Sequence, residues 1–446
     1  MTVVGAVLPE LKLYGDPTFI VSTALATRDF QDVHHDRDKA VAQGSKDIFV
    51  NILTDTGLVQ RYVTDWAGPS ALIKSIGLRL GVPWYAYDTV TFSGEVTAVN
   101  DSPTDVDGLT TFTMDTNTEI AVARAAGIGE LTFFSKIHYG GGAACATVQH
   151  AAMAVATGVA DVVVAYRAFN ERSGMRFGQV QTRLTENADS TGVDNSFSYP
   201  HGLSTPAAQV AMIARRYMHL SGATSRDFGA VSVADRKHAA NNPKAYFYGK
   251  PITIEDHQNS RWIAEPLRLL DCCQETDGAV AIVVTSAARA RDLKQRPVVI
   301  EAAAQGCSPD QYTMVSYYRP ELDGLPEMGL VGRQLWAQSG LTPADVQTAV
   351  LYDHFTPFTL IQLEELGFCG KGEAKDFIAD GAIEVGGRLP INTHGGQLGE
   401  AYIHGMNGIA EGVRQLRGTS VNPVAGVEHV LVTAGTGVPT SGLILG

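Results

Sequence analysis

Cys145-Ala-Thr-Val-Gln-His-Ala-Ala-Met-Ala-Val-Ala-Thr-Gly158-Val-Ala-Asp161-Val-Val-Val-Ala165 is the stretch on which the reading of the fold turns. Cys145 to Gly158 reads as a helix, and Asp161-Val-Val-Val-Ala165 as a short β-branched strand. Similar alternation continues through a section rich in Gly and Ala that begins at Ser102. Strand and helix in alternation mean parallel βαβ units and an α/β fold. A second series starts near Arg296-Pro-Val-Val-Ile-Glu301, passes through Ala349-Val-Leu-Tyr352 and ends on a strand around Val430. Two similar halves, 102–295 and 296–446, suggest an internal duplication. Arg176 to Leu267 is too long for a simple connection and is expected to be a cap inserted over the site.

Residues 1–101 have a different texture. Thr18 to Leu25, Ile73 to Leu80 and Asp88 to Val99 are strand candidates. Ile52 to Trp66 reads as one helix, apolar at Leu53, Leu58, Val59, Tyr62, Val63 and Trp66, and it stops at Gly68-Pro69. One long helix inside a curved antiparallel sheet is the hot-dog arrangement. No low-complexity linker separates this segment from the rest.

Composition narrows the function. With 446 residues, 45% hydrophobic and 18% charged, the chain can bury a large core in two or three domains or subdomains. A net charge of -13 argues against nucleic acid or an anionic membrane as the main partner. An acidic chain that binds a CoA thioester needs local basic residues. Five cysteines, Cys145, Cys272, Cys273, Cys307 and Cys369, with no signal peptide or long apolar run, fit a reducing cytoplasm. Cys272 and Cys273 have no second Cys or His pair at ligand spacing, so they read as buried structural residues, and no metal is expected.

Three groups of residues carry possible chemistry. Asp29 and His34 stand five apart on one stretch, a spacing that suits activation of a water on an unsaturated thioester, with helix-start amides near Asn51 to Asp55 facing the oxyanion. Gly140-Gly-Gly-Ala-Ala-Cys145 is a Gly-rich turn entering a helix, where amides and the helix dipole would lower a thiol pKa. On position alone Cys145 is either a nucleophile or a small packing residue. Tyr352-Asp-His-Phe355, Asn392-Thr-His-Gly-Gly396 and Tyr402-Ile-His-Gly405 are the loops of the second half.

Those loops, together with Arg261-Trp-Ile-Ala-Glu-Pro-Leu-Arg-Leu-Leu-Asp-Cys-Cys-Gln-Glu-Thr-Asp277, resemble the sterol-carrier-type thiolases. The resemblance covers residues 102–446 and is strongest to the lipid-transfer-protein branch of steroid side-chain aldolases. On that frame Cys145 matches the nucleophile, Tyr402 stands at the activating His, and Thr433 at the second Cys. Tyr352 replaces the Asn or His that helps hold the enolate oxygen. Two phenols suit retro-aldol cleavage of a β-hydroxyacyl thioester, which needs no covalent intermediate. The resemblance implies Tyr402 as base and Tyr352 as proton donor; His354, His394 and His404 are candidates either for helping them or for a structural, hydrogen-bonding role. A tyrosine acting as base near neutrality needs a depressed pKa. The implied substrate is a 17-hydroxy steroid carrying a three-carbon CoA side chain, and the products are a 17-keto steroid and propionyl-CoA. CoA belongs to the substrate, and no separate cofactor is implied. The implied assembly is a homodimer joined by the OB-fold domain of a large hydratase subunit.

Asp29, Asp32-Val-His34-His-Asp36, Ala42-Gln-Gly44 and the Ile52 helix make residues 1–101 similar to the MaoC-like enoyl-CoA hydratases, in particular the small subunit that acts in bacterial cholesterol side-chain degradation. This implies Asp29 and His34 as a catalytic dyad. The hydratase pattern stops about a strand pair early after Val99. The thiolase pattern starts after its own opening strand and helix, a strand expected at the centre of the half-sheet. A fusion by deletion between two adjacent reading frames accounts for both. Three other readings stay open: a thiolase or acyltransferase using Cys145, a hydratase using Asp29 and His34, and a non-catalytic product that binds partners.

Overall fold

The structure, a computed structural model, describes residues 4–68, 73, 76–79, 81–97, 105–113, 117–174, 176, 196–312, 314, 316 and 319–446. It falls into two compact units, Met1–Thr104 with Arg124–Gly127, and the remainder to Gly446.

In the first unit, β1 (Val7–Tyr14) and β2 (Thr89–Glu95) form an antiparallel pair with Tyr14 opposite Thr89. The long helix runs Ile52–Ala67, capped by Asn51 Oδ1 accepting from Thr54 N at 2.8 Å and ended by Gly68 at φ 90°. Thr18 to Leu25 is helical rather than extended, within Pro17–Ala26. Asp16 Oδ1 accepts from Phe19 N at 2.7 Å and Pro17 presets the first helical φ, so the local cap overrides the β-branched pattern. Ile20 from this helix packs with Ala40, Ile48, Val50, Trp84 and Ala86. Of the Ile73 to Leu80 candidate, 74, 75 and 80 lie outside the described residues, and the described positions 73 and 76–79 form no strand. Two strands do not wrap the long helix: only Thr54 and Tyr62 on it are buried, and Leu53 is 52% exposed.

The second unit holds two four-stranded sheets. In the first, β3 (Gly108–Phe112) lies between β4 (Phe133–Ile137) and β5 (Val162–Asn170), all parallel. A small hairpin, β6 (Trp262–Ala264) with β7 (Leu267–Arg268), precedes β8 (Asp277–Thr285), which pairs antiparallel with β5. The second sheet has the order β10 (Thr348–Val350), β11 (Val430–Thr433), β12 (Thr440–Leu445), β9 (Ile300–Gly306). The order β3-β5-β8 repeats as β10-β11-β12, parallel and then antiparallel; the place of β4 is taken in the second half by the parallel bridge between Ala349 and Ile391, and β9 has no counterpart in the first sheet among the described residues.

This corrects the expectation of a lost central strand. The opening strand of the second half lies at the sheet edge, bonded among the described strands only to β12. The matching place in the first half is the outer edge of β8. Among the described residues no strand pairs with that edge, while β3 keeps partners on both sides. An edge is far cheaper to leave open than a central ladder, because edge amides can reach water.

Helix Ala144–Ala156 touches β3, β4, β5 and β8 on one side and β9 and β12 on the other, so it lies between the sheets. Its Ala144, Cys145, Ala146, Ala151 and Ala154 are buried, and small side chains allow both sheets to approach. Helices Pro206–Ser221 and Ser225–Asn241, expected as a cap, contribute Val210, Ala214, Phe228 and Val231 to the core shared with Met328 and Phe358.

Candidate active site

A cavity of about 900 Å³ opens in the second unit, lined by both tyrosines, His354, His404, the Gly140–Gly142 turn and the Cys272–Glu275 segment. Tyr352 follows β10, and a closed ring of hydrogen bonds fixes its backbone. Tyr352 N donates to Thr433 Oγ1 at 2.9 Å, Thr433 Oγ1 donates to Gln362 Oε1 at 2.7 Å, and Gln362 Nε2 donates back to Tyr352 O at 2.9 Å. Thr433 is thus a clamp on the tyrosine loop. Tyr402 N donates to Thr276 Oγ1 at 3.2 Å, which ties the second tyrosine to the Cys272–Glu275 segment.

The two loops bring the phenols together: Tyr352 Oη donates to Tyr402 Oη at 3.1 Å. Gly141 is required there, because a Cβ at that position would overlap the Tyr352 hydroxyl. Gly435 is required in turn, since its Cβ would meet the Gly141 backbone. The Gly-rich turn therefore makes room for a phenol.

Cys145 is elsewhere. It is fully buried, its Sγ lies 3.7 Å from Val432 O, and it does not line the cavity. Burial pushes its thiol well above the usual range, so the expected lowering by the helix start does not occur. Burial also raises both phenols well above 10, helped at Tyr402 by the neighbouring Tyr352. The depressed tyrosine expected of a base is absent.

The histidines divide. His354 stacks edge-on against Tyr352, Phe355 and Phe358, with centroids 4.8, 5.0 and 5.2 Å away, and burial pulls its pKa down to about 3. His404 packs 4.5 Å from the Tyr402 ring, and burial together with Arg167 keeps it neutral. Arg167 Nη2 lies 3.4 Å from its Nδ1, which assigns the proton to Nε2. His394 is fully buried, does not line the cavity, and has Nε2 3.9 Å from Glu400 Oε2. Its loop is scaffolding: Asn392 Oδ1 accepts from Leu351 N at 2.9 Å, and Asp353 accepts from Gln397 N at 2.8 Å and Leu398 N at 3.1 Å.

Arg172, Arg176 and Arg261 line the cavity and are exposed, a local basic group on an acidic chain. Arg167 and Glu171, at the carboxyl end of β5, also belong to the site neighbourhood and escaped the sequence reading, and Cys272 and Cys273, read there as buried structural residues, line the cavity. The signal for Arg167 and Glu171 was positional, since ligands in α/β folds sit beyond the carboxyl ends of parallel strands.

In the first unit His34 Nε2 lies 3.4 Å from Asp29 Oδ2, and His34 Nδ1 lies 2.8 Å from Phe49 O. The structure brings this pair together, and neither residue lines the 900 Å³ cavity.

Two duplicated βαβ halves with a hydrogen-bonded phenol pair on the cavity wall have the frame of a thiolase-like enzyme. The thiolase C-terminal domain-like family matches residues 315–445. A steroid side-chain-cleaving aldolase from Thermomonospora curvata is 69% identical over 346 residues, 77% of this chain and 88% of that protein. The benzoylsuccinyl-CoA thiolase subunit BbsB from Thauera aromatica is 34% identical over 63% of this chain and 71% of its own length. A solved Ltp2-ChsH2(DUF35) aldolase superposes with a TM-score of 0.74 at 68% identity, covering 77% of this chain and 88% of that one. The chain belongs to the thiolase-like steroid side-chain-cleaving aldolases.

Proposed function

We propose that the chain cleaves the side chain of a 17-hydroxy steroid CoA thioester by a retro-aldol reaction, giving a 17-keto steroid and propionyl-CoA. The observation that carries this reading is the direct hydrogen bond between Tyr352 and Tyr402 on the cavity wall, with Cys145 shut away from it. Both phenols stay protonated at neutral pH, so the proton moves through the pair rather than onto a standing phenolate. Tyr402 takes the substrate hydroxyl proton as it passes its own to Tyr352, and Tyr352 gives its proton to the α-carbon of the enolate. Phenol hydrogens rotate, so either oxygen can donate. The Cα–Cβ bonding pair becomes the enolate pair, one proton moves from oxygen to carbon, and the protein ends unchanged in charge.

The apolar wall, with Ile263, Leu269, Met314 and Phe355, suits a steroid nucleus, and Arg172, Arg176 and Arg261 suit the CoA phosphates. The reaction is redox-neutral and draws on no cofactor beyond the CoA of the substrate. The work is done in a reducing cytoplasm, as five free cysteines favour, and no described helix is long and apolar enough to cross a membrane. The solved relative's pairing with a DUF35 chain supports a similar OB-fold partner on a homodimeric core.

The test is incubation of the full chain, with and without that partner, with the β-hydroxy steroid thioester. Ketone and propionyl-CoA should form, and Cys145→Ala should cleave at a rate within about threefold of wild type. Cleavage that requires free CoA and is abolished by Cys145→Ala would establish a cysteine thiolase instead.

A further inference from the structure

Glu171 follows β5 directly and is 1% exposed, yet it lines the cavity with Tyr352 and Tyr402. Neither of its carboxyl oxygens has a hydrogen-bond partner among the described residues. A buried carboxylate left unpaired is costly, so such a group stays protonated or waits for a ligand. The obvious partner is engaged elsewhere: Arg167 Nη1 donates to Phe112 O at 3.3 Å and Thr113 O at 3.0 Å, and Nη2 meets His404. Burial is the main cause that lifts the Glu171 pKa to about 9. Glu275 adds to it, Arg167 opposes it, and Asp277 adds again.

Retro-aldol cleavage leaves its electron pair on a thioester enolate, whose oxygen needs a donor while Tyr352 is occupied with the carbon. We propose that Glu171, held as a neutral carboxylic acid, donates the hydrogen bond that holds the thioester enolate oxygen during cleavage. Its proton stays on the carboxyl throughout, and no bond to Glu171 forms or breaks. A carboxylic acid kept neutral by an apolar site is a strong donor to a developing oxyanion. Ionised, the same group would face the enolate with a like charge. The groups facing it are Arg167 on its own strand, Cys273 and Glu275 on the adjoining segment, Asp277 on β8, and the two phenols, both raised well above 10.

This inference rests on the aldolase reading, so the experiment uses a partial reaction that needs no steroid. Exchange of α-deuterium into propionyl-CoA from heavy water is followed for the full-length wild type, Glu171→Gln and Glu171→Val across pH 7 to 10. Wild-type exchange should fall as pH rises through about 9. Glu171→Gln, a neutral donor at every pH, should lose that alkaline limb and stay within about fivefold at pH 7.5. Glu171→Val should lose on the order of 100-fold. A folded Glu171→Val within threefold of wild type, an alkaline limb that persists in Glu171→Gln, or no wild-type exchange at all overturns the proposal. If Glu171→Val does not fold, the Gln limb decides. Glu171-dependent exchange without cleavage of the steroid thioester sinks the substrate reading alone.

Discussion

Replacing Tyr352 and Tyr402 by Phe, singly and together, tests the proton relay. Each substitution removes one oxygen of the 3.1 Å pair and leaves the ring packing in place. Positioned acid–base groups contribute roughly 10²–10⁴-fold, so each single variant is expected to lose about 10³-fold in kcat/KM, about 4 kcal/mol at about 1.36 kcal/mol per decade. Were Tyr402 an independent base and Tyr352 an independent acid, the double variant would lose about 10⁶-fold, because their effects would add. In a relay the proton has one path, and breaking it twice costs no more than breaking it once. The double variant is therefore expected to lose about 10³-fold as well, the non-additivity of residues that act as a unit. Ketone formation by chromatography and propionyl-CoA by mass spectrometry give the rates, and thermal melts check folding. A neutral hydrogen bond is worth about 1 kcal/mol, so the melts should move little. A double variant near 10⁶-fold slower than wild type would refute the relay.

Gly141→Ala should cut kcat/KM by at least about tenfold, because a Cβ at that position overlaps the Tyr352 hydroxyl and moves it off Tyr402; wild-type kinetics in this variant would show that the turn yields without cost. Acidification should lower the melting temperature. Burial holds the folded-state pKa of His354 at about 3 and of His238 at about 4, below the ordinary 6.5, so the unfolded chain binds protons that the folded chain refuses. Stability from these groups is present above about pH 6.5 and is lost as pH falls toward 4. His238→Gln keeps an acceptor for Val385 N and should melt with a shallower acid dependence than wild type, whereas identical profiles would mean that His238 does not drive the loss.

Much of the fold was legible in the sequence because local patterns and tertiary demands agree there. The Ala-rich run after Gly142 forms the helix between the sheets, and Val162 to Ala165 is a buried strand beside β3. Local chemistry misled where a cap outweighed side-chain preference, as at Asp16-Pro17. The place of the opening strand was not legible, because strand order depends on how connections cross a sheet rather than on any one segment. Only the second half, with β9 at the edge beside β12, shows it.

The sequence by itself determined the α/β duplication, the long helix near the start and the loops that carry the two tyrosines. Residue type and spacing suffice for these. Only the tertiary structure decided which groups meet. It placed Tyr352 and Tyr402 within hydrogen-bond reach across 50 residues of chain, buried Cys145 against β11, and left the Glu171 carboxyl unpaired on the cavity wall. The physical reason is that protonation and reactivity depend on burial and neighbours, and neighbours at a site are distant in sequence.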